Sequence, residues 1–134
     1  MGVILDSSVL IALERARISP RSLSERTGEE LAVSAVTVSE LQFGFYRAVT
    51  SAQRTAREAF ISSALAVFPV VAFDLEAALV HARLWADLAA EGQQIGVRDA
   101  MIAATALAHG HAVMTDNLRE FSRVAGLEVR RMNV

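Results

Sequence analysis

The chain has 134 residues, 53% of them hydrophobic, with two prolines and no cysteine. This size and apolar content predict one compact domain, residues 1–134, while the lack of cysteine excludes disulfide frameworks and thiolate metal sites and favours a cytoplasmic protein. The net charge of −2 opposes a strongly basic nucleic-acid binder, and we expect neither a signal peptide nor a membrane span, because Asp6 and Glu14 interrupt the first apolar runs.

Short β-branched runs alternate with longer segments of helical period, which predicts an α/β fold with helices crossing over between parallel strands. The predicted strands are Val3–Leu5, Leu31–Ser34, Val70–Phe73, Ala112–Met114 and Leu127–Arg130. The predicted helices are Ser7–Arg15, Pro20–Thr27, Thr37–Val49, Ala52–Ala66, Leu75–Glu91 and Arg98–His109, with a helical turn after Asn117. An apolar stripe on the fifth helix is expected to pack in the core: Leu79, Leu84, Trp85 and Leu88.

Four acids stand where predicted strands end or helices begin. Asp6 follows the first strand and Asp116 the fourth, whereas Glu40 and Asp99 lie in the first turns of helices. The carboxyl ends of parallel strands meet at one edge of the sheet, and open α/β sheets place their ligands at that edge. Acids that are distant in sequence can therefore converge there.

Each acid also has an alternative role in helix capping. The stretch Thr37-Val-Ser-Glu40 fits a capping box, and Asp6, Asp99 and Asp116 stand where a carboxylate stabilises a helix N-terminus. Asp74 follows the third strand and precedes a helix in the same way, and we assign it to capping alone. Position by itself does not separate the two roles.

Carboxylates that share one pocket repel one another, and either protons or a cation must relieve that repulsion. Oxygen ligands without cysteine favour Mg²⁺ or Mn²⁺. Such an ion activates a bound water and stabilises charge on a phosphate, which predicts phosphodiester hydrolysis. The stretch His109-Gly-His111 is a poor zinc site, because residues two apart do not share a helix face.

Four stretches spread over the whole chain surround the acids: Ile4-Leu-Asp-Ser-Ser8, Leu31-Ala-Val-Ser-Ala-Val-Thr-Val-Ser-Glu-Leu41, Ile95-Gly-Val-Arg-Asp-Ala-Met-Ile-Ala-Ala104 and Met114-Thr-Asp-Asn-Leu-Arg-Glu-Phe121. Together they resemble PIN-domain nucleases, most closely the VapC-type toxins. The resemblance implies a three-layer α/β/α sandwich with a mostly parallel sheet of four or five strands. It also implies an endoribonuclease that uses Mg²⁺ or Mn²⁺ on single-stranded or structured RNA, as the toxin of a toxin–antitoxin pair.

The resemblance also implies roles for individual residues. Asp6 and Asp99 correspond to the principal metal ligands, and Glu40 completes the acidic cluster directly or through water. The groups that orient these ligands or position the substrate correspond to Ser7, Thr115 and Asn117.

The fourth catalytic acid departs from the family pattern. Many PIN domains carry an acid in the place of Asn117, whereas this chain carries Asp116 one residue earlier, with Glu120 nearby. We assign Asp116 as the fourth catalytic acid. The shift leaves open whether it is a metal ligand and whether one or two ions bind.

The resemblance further implies a homodimer and a VapB-like antitoxin, whose C-terminal segment wraps the toxin and brings a basic side chain into the acidic pocket. On the third predicted helix, Phe43 lies off the apolar stripe that includes Leu41 and Phe45, so we expect it to be exposed near Glu40. This helix is the expected antitoxin surface, with Tyr46 close by.

Two other classes of function remain open. A phosphate-transfer domain, such as a receiver domain or a haloacid-dehalogenase-type phosphatase, also places aspartates at strand ends, but both usually require a lysine and this chain has none. A PIN-like binding module without catalysis is the second alternative. The presence of Asp6, Glu40 and Asp99 argues against it.

Overall fold

The structure, a computed structural model that describes residues 2–132, is built on a five-stranded sheet in the order β3-β2-β1-β4-β5. Every neighbouring pair of strands is parallel. The strands are β1 Val3–Leu5, β2 Leu31–Ser34, β3 Val70–Val71, β4 Ala112–Thr115 and β5 Val129–Arg131.

Seven helices connect and cover the strands within residues 2–132. They are α1 Ser7–Ala16, α2 Pro20–Thr27, α3 Ala35–Arg47, α4 Ser51–Val67, α5 Leu75–Ala90, α6 Val97–Ala108 and α7 Leu118–Phe121. None of the helices in the described part of the chain has the length and apolar character needed to cross a membrane.

Two apolar cores lie on opposite faces of the sheet, because successive strand residues point to opposite sides. In β1, Val3 and Leu5 join the core under α1 to α4, whereas Ile4 joins the core under α5 to α7. The predicted three-layer α/β/α sandwich with a parallel sheet is confirmed.

The strand order reverses at β1. The chain builds β1, β2 and β3 outward in one direction and then returns to place β4 and β5 on the other side of β1. Ligands of open α/β sheets bind in the crevice at the carboxyl ends of the strands where the order reverses. In this chain the crevice lies between the ends of β1 and β4, which lead into Asp6 and Asp116.

The start of α3 differs from the sequence prediction by two residues. Ser34 ends β2 and also caps α3, since its hydroxyl accepts hydrogen bonds from the backbone N–H groups of Val36 and Thr37. Thr37 is therefore not a helix cap but a fully buried residue inside the helix. The predicted capping box with Glu40 was wrong, and Glu40 lies in the second turn of α3.

The apolar stripe on α5 packs only in part. Leu84 and Leu88 are buried against α6, whereas Leu79 and Trp85 are 65% and 61% exposed. The expectation that all four pack in the core was wrong, because α5 lies outside α6 and only one narrow face of it is covered.

Candidate functional site

Asp6 is a buried carboxylate held by three hydroxyl groups. It is 3% exposed at the end of β1. Ser7 donates to Oδ1 at 3.2 Å, while Ser8 and Thr115 donate to Oδ2 at 2.9 and 2.6 Å. These hydrogen bonds fix the carboxylate in the crevice between β1 and β4.

Asp6 and Asp74 hold equivalent positions in sequence but have different contacts. Asp74 caps α5, since its Oδ1 accepts a 3.0 Å hydrogen bond from the backbone N–H of Ala77. The side chain of Asp6 precedes α1 without capping it. Capping therefore explains Asp74, as expected, but does not explain Asp6.

Glu40 reaches the same crevice from α3. Its Oε2 lies 3.4 Å from the Nε of Arg98, which is 69% exposed at the side chain. Its Oε1 is buried without a hydrogen-bond partner among the described residues. A buried carboxylate oxygen normally accepts a hydrogen bond from a donor. Oε1 of Glu40 has no such donor within residues 2–132, and it lies at the point where the other acids converge.

Asp99 lies in the first turn of α6, three residues after the N-cap Gly96, and does not cap the helix. The side-chain amide of Asn117 donates to its Oδ2 at 3.2 Å and to Oε2 of Glu120 at 2.9 Å. One amide group therefore holds two carboxylates at the start of α6 and α7.

Burial and neighbouring carboxylates raise the pKa of two of these acids, Asp99 and Glu40. Burial raises the pKa of Asp99 to about 7, and the neighbouring carboxylates of Asp6, Glu120 and Glu40 add to that shift. Burial and then the charge of Asp6 also raise the pKa of Glu40, against the opposing effect of Arg98. Asp6, Glu40, Asp99 and Glu120 therefore form one electrostatic group with an excess of negative charge.

Asp116 is not part of this group. Its side chain is exposed, and its backbone N–H donates to the hydroxyl of Ser8 at 3.1 Å. The first turn of α7 instead brings Glu120 to Asp99. The expectation that Asp116 converges with the other acids is corrected by this geometry, because Asp116 is exposed and Glu120 takes the place beside Asp99.

The predicted supporting residues have defined contacts. Thr115 is fully buried, donates to Asp6, and accepts a 2.8 Å hydrogen bond from the backbone N–H of Asn117. Ser7 contacts Asp6, and Asn117 contacts Asp99. These contacts link the loops after β1 and β4 to the start of α6.

The structure brings three further residues to the crevice, Ser8, Arg98 and Glu120. Sequence reasoning assigned no site role to Ser8 or Arg98, and it noted Glu120 only as an acid near Asp116. Each lies inside a stretch that carries the family resemblance. The family resemblance therefore covered these residues, but only the folded chain shows which side chains point into the crevice.

A second group of potential metal ligands lies elsewhere. Atoms of Asp74, Glu76 and His109 lie within 4.8 Å of one another. Asp74 and Glu76 are exposed, and Asp74 Oδ2 pairs with His109 Nε2 at 3.1 Å. Asp74 caps α5 and pairs with His109 at the end of α6, so its two contacts link these helices. This structural role explains why the three residues lie together.

Comparisons with known proteins agree with the fold. The PIN domain family matches residues 3–127. Ribonuclease VapC1 of Rickettsia felis is 36% identical over 129 residues, covering 96% of this chain and 95% of the relative. A tRNA(fMet)-specific endonuclease VapC of Salmonella typhimurium is 32% identical and covers 82% of this chain and 83% of the relative.

A solved structure extends the likeness to three dimensions. A member of the VapBC family of toxin–antitoxin systems, VapBC-5 of Mycobacterium tuberculosis, superposes with a TM-score of 0.76 and 30% identity over the whole of both chains. The likeness therefore includes every element that carries the acidic group.

Proposed function

This chain belongs to the PIN-domain family, with VapC ribonucleases among its relatives, and we propose that it is a divalent-metal-dependent endoribonuclease that acts as the toxin of a toxin–antitoxin pair. The observation that carries the proposal is the convergence of Asp6, Glu40, Asp99 and Glu120 at the strand-order reversal. Hydrogen bonds to hydroxyl and amide groups, and not helix capping, hold Asp6 and Asp99 there.

The donor set suits Mg²⁺ or Mn²⁺. All the converging groups are carboxylates, which are the ligands that hard divalent ions prefer. Asp6 and Asp99 would bind the ion, with Glu40 bound directly or through water, and the unpartnered Oε1 of Glu40 fits this role. When bound, the ion lowers the pKa of a water molecule and offsets charge on the phosphate.

The protein's own groups keep this arrangement in place. The hydroxyls of Ser8 and Thr115 hold Oδ2 of Asp6, and the amide of Asn117 holds Asp99. Groups that orient metal ligands typically contribute about 10- to 100-fold in affinity or activity. Arg98 lies at the rim beside Glu40, where a guanidinium is suited to contact a substrate phosphate.

The partner we propose is a small VapB-like antitoxin, with the toxin as a homodimer. The Mycobacterium relative supports the antitoxin partner, since it belongs to a toxin–antitoxin system. Phe43 of α3 is 60% exposed, as expected from its place off the apolar stripe, and Tyr46 is 73% exposed. The antitoxin would dock across α3 and bring a basic side chain to Glu40, beside which the guanidinium of Arg98 already lies.

Cleavage assays separate this proposal from its alternatives. We expect purified protein to cut single-stranded RNA, in a panel that includes tRNA(fMet), only when Mg²⁺ or Mn²⁺ is present, and to leave a small phosphomonoester intact. Full RNA cleavage in excess chelator would contradict the metal-dependent reading. Hydrolysis of the phosphomonoester alone would favour phosphate transfer, and RNA binding without cleavage would favour a binding module.

A further inference from the structure

A cavity of about 370 Å³ opens beside Glu40, which is one of its lining residues. Residues from four helices, α1, α3, α4 and α6, line it, among them Ser7, Phe43, Gly44, Arg57 and Arg98. Pockets for small ligands typically measure about 300 to 1,000 Å³. The cavity is thus large enough for a ligand about the size of one nucleotide, and it adjoins the acidic group directly.

Arg57 is held in a fixed position at this cavity. Its Nε lies 3.1 Å from Oε2 of Glu14, which joins α4 to α1. Its Nη1 lies over Gly44 of α3, where a Cβ would come within 2.5 Å of it. Nε carries the ion pair, so the donors of the two terminal nitrogens remain for a further acceptor, such as a phosphate.

Phe43 provides an aromatic surface at the same cavity. Its ring is largely exposed, and the guanidinium carbon of Arg47 lies 5.5 Å from the ring centroid. Proteins that bind single-stranded nucleic acid commonly combine basic groups that contact the backbone with aromatic side chains on which bases stack. Arg57, Arg98 and Phe43 supply both kinds of group within one cavity.

We propose that this cavity binds one unpaired nucleotide of the RNA next to the scissile phosphate, with a phosphate on Arg57 and the base stacked on Phe43. The inference rests on the proposed ribonuclease function and extends it to the path of the strand. The charged residues that line the cavity are two arginines, Arg57 and Arg98, and one acid, Glu40. This balance suits an anionic occupant.

Binding of a labelled single-stranded RNA oligonucleotide to metal-free protein tests the proposal without cleavage. We expect Arg57→Ala to weaken binding about tenfold and to lower the slope of log K against log salt by about 0.7 to 1. Phe43→Ala should weaken binding at least about fivefold with the salt slope kept, because stacking is lost and no charge is removed.

Two further variants separate a phosphate contact from a structural role. Gly44→Ala keeps every charge but makes the guanidinium of Arg57 shift, so it should weaken binding, though less than Arg57→Ala does. Arg54→Ala is the matched control, since Arg54 lies on the same helix and donates to the carbonyl oxygen of Ala48 instead. It should leave affinity and salt slope unchanged, and circular dichroism checks that all variants fold.

The outcomes distinguish this inference from the proposed function. If wild type neither binds nor cleaves RNA, both fail. If wild type binds RNA while Arg57→Ala, Gly44→Ala and Phe43→Ala bind it equally well, only the nucleotide site is overturned. A loss of antitoxin binding in these variants with unchanged RNA binding would assign the cavity to a peptide and would also overturn the proposal.

Discussion

At the scale of single residues, Asp99 has an environment that opposes its negative charge. Its pKa is raised from 3.8 to about 7 by burial and by neighbouring carboxylates. The folded protein therefore holds this proton more tightly than the unfolded chain does. The contribution of protonated Asp99 to the free energy of unfolding is complete below pH 3.8, and it is lost as the pH rises through about 7.

This shift predicts a pH dependence of stability in metal-free protein. Between pH 4 and pH 8, the Tm of wild type in chelator should fall more steeply than that of Asp99→Asn, with the variant a few degrees more stable at the upper end. Thermal unfolding at several pH values measures the difference. Parallel curves for the two proteins would contradict the raised pKa.

The residue scale is also where sequence reasoning reached its limit. Asp6 and Asp74 look alike in sequence, and they differ because Thr115, 109 residues away from Asp6, donates a hydrogen bond to it. Asp116 and Glu120 lie four residues apart, and only the direction of the chain after β4 decides which one points inward. Such choices depend on tertiary contacts that local sequence does not encode.

At the scale of elements, α3 depends on Ser34 at its N-terminus. The hydroxyl of Ser34 satisfies two backbone N–H groups in a fully buried position. Ser34→Ala should therefore lower the free energy of unfolding by about 1 kcal/mol. Urea denaturation checks this, with Ser39→Ala as the control, because Ser39 is exposed inside the same helix.

A Ser34→Ala variant as stable as Ser39→Ala would show that the cap contributes nothing. The helix also carries Glu40, so looser capping should lower RNA cleavage as well. The cap thus links local structure to the placement of a candidate metal ligand.

Most elements were predictable because their patterns are strong. The β-branched runs predicted the bounds of β1 and β2 as the structure has them. The predicted and observed bounds of α2 also agree, from Pro20 at its start to its end before Gly28. The start of α3 was missed because Ser34 serves as strand end and helix cap at once, with no loop between them. Strand β5 begins at Val129, two residues later than predicted, at the edge of the sheet where pairing on one side alone sets the bounds.

At the scale of the whole molecule, the exposed aromatic side chains of α3 predict a partner surface. Phe43→Asp should weaken the complex with the cognate antitoxin, because it places a charge on an apolar contact. Co-expression followed by size-exclusion chromatography measures both the complex and the expected toxin homodimer. A strictly monomeric toxin whose Phe43→Asp variant binds the antitoxin with unchanged affinity would contradict the proposed assembly.

The most direct test of a metal-dependent nuclease site at the strand-order reversal is a paired cleavage assay of Asp99→Asn and Asp74→Asn on single-stranded RNA with Mg²⁺. Asp99→Asn should reduce cleavage by more than about 100-fold, since even groups that only orient ligands contribute about 10- to 100-fold. Asp74→Asn should cleave nearly as wild type does, because Asn caps a helix about as well as Asp. An active Asp99→Asn, or a large loss of activity in Asp74→Asn, would contradict the assignment of the site.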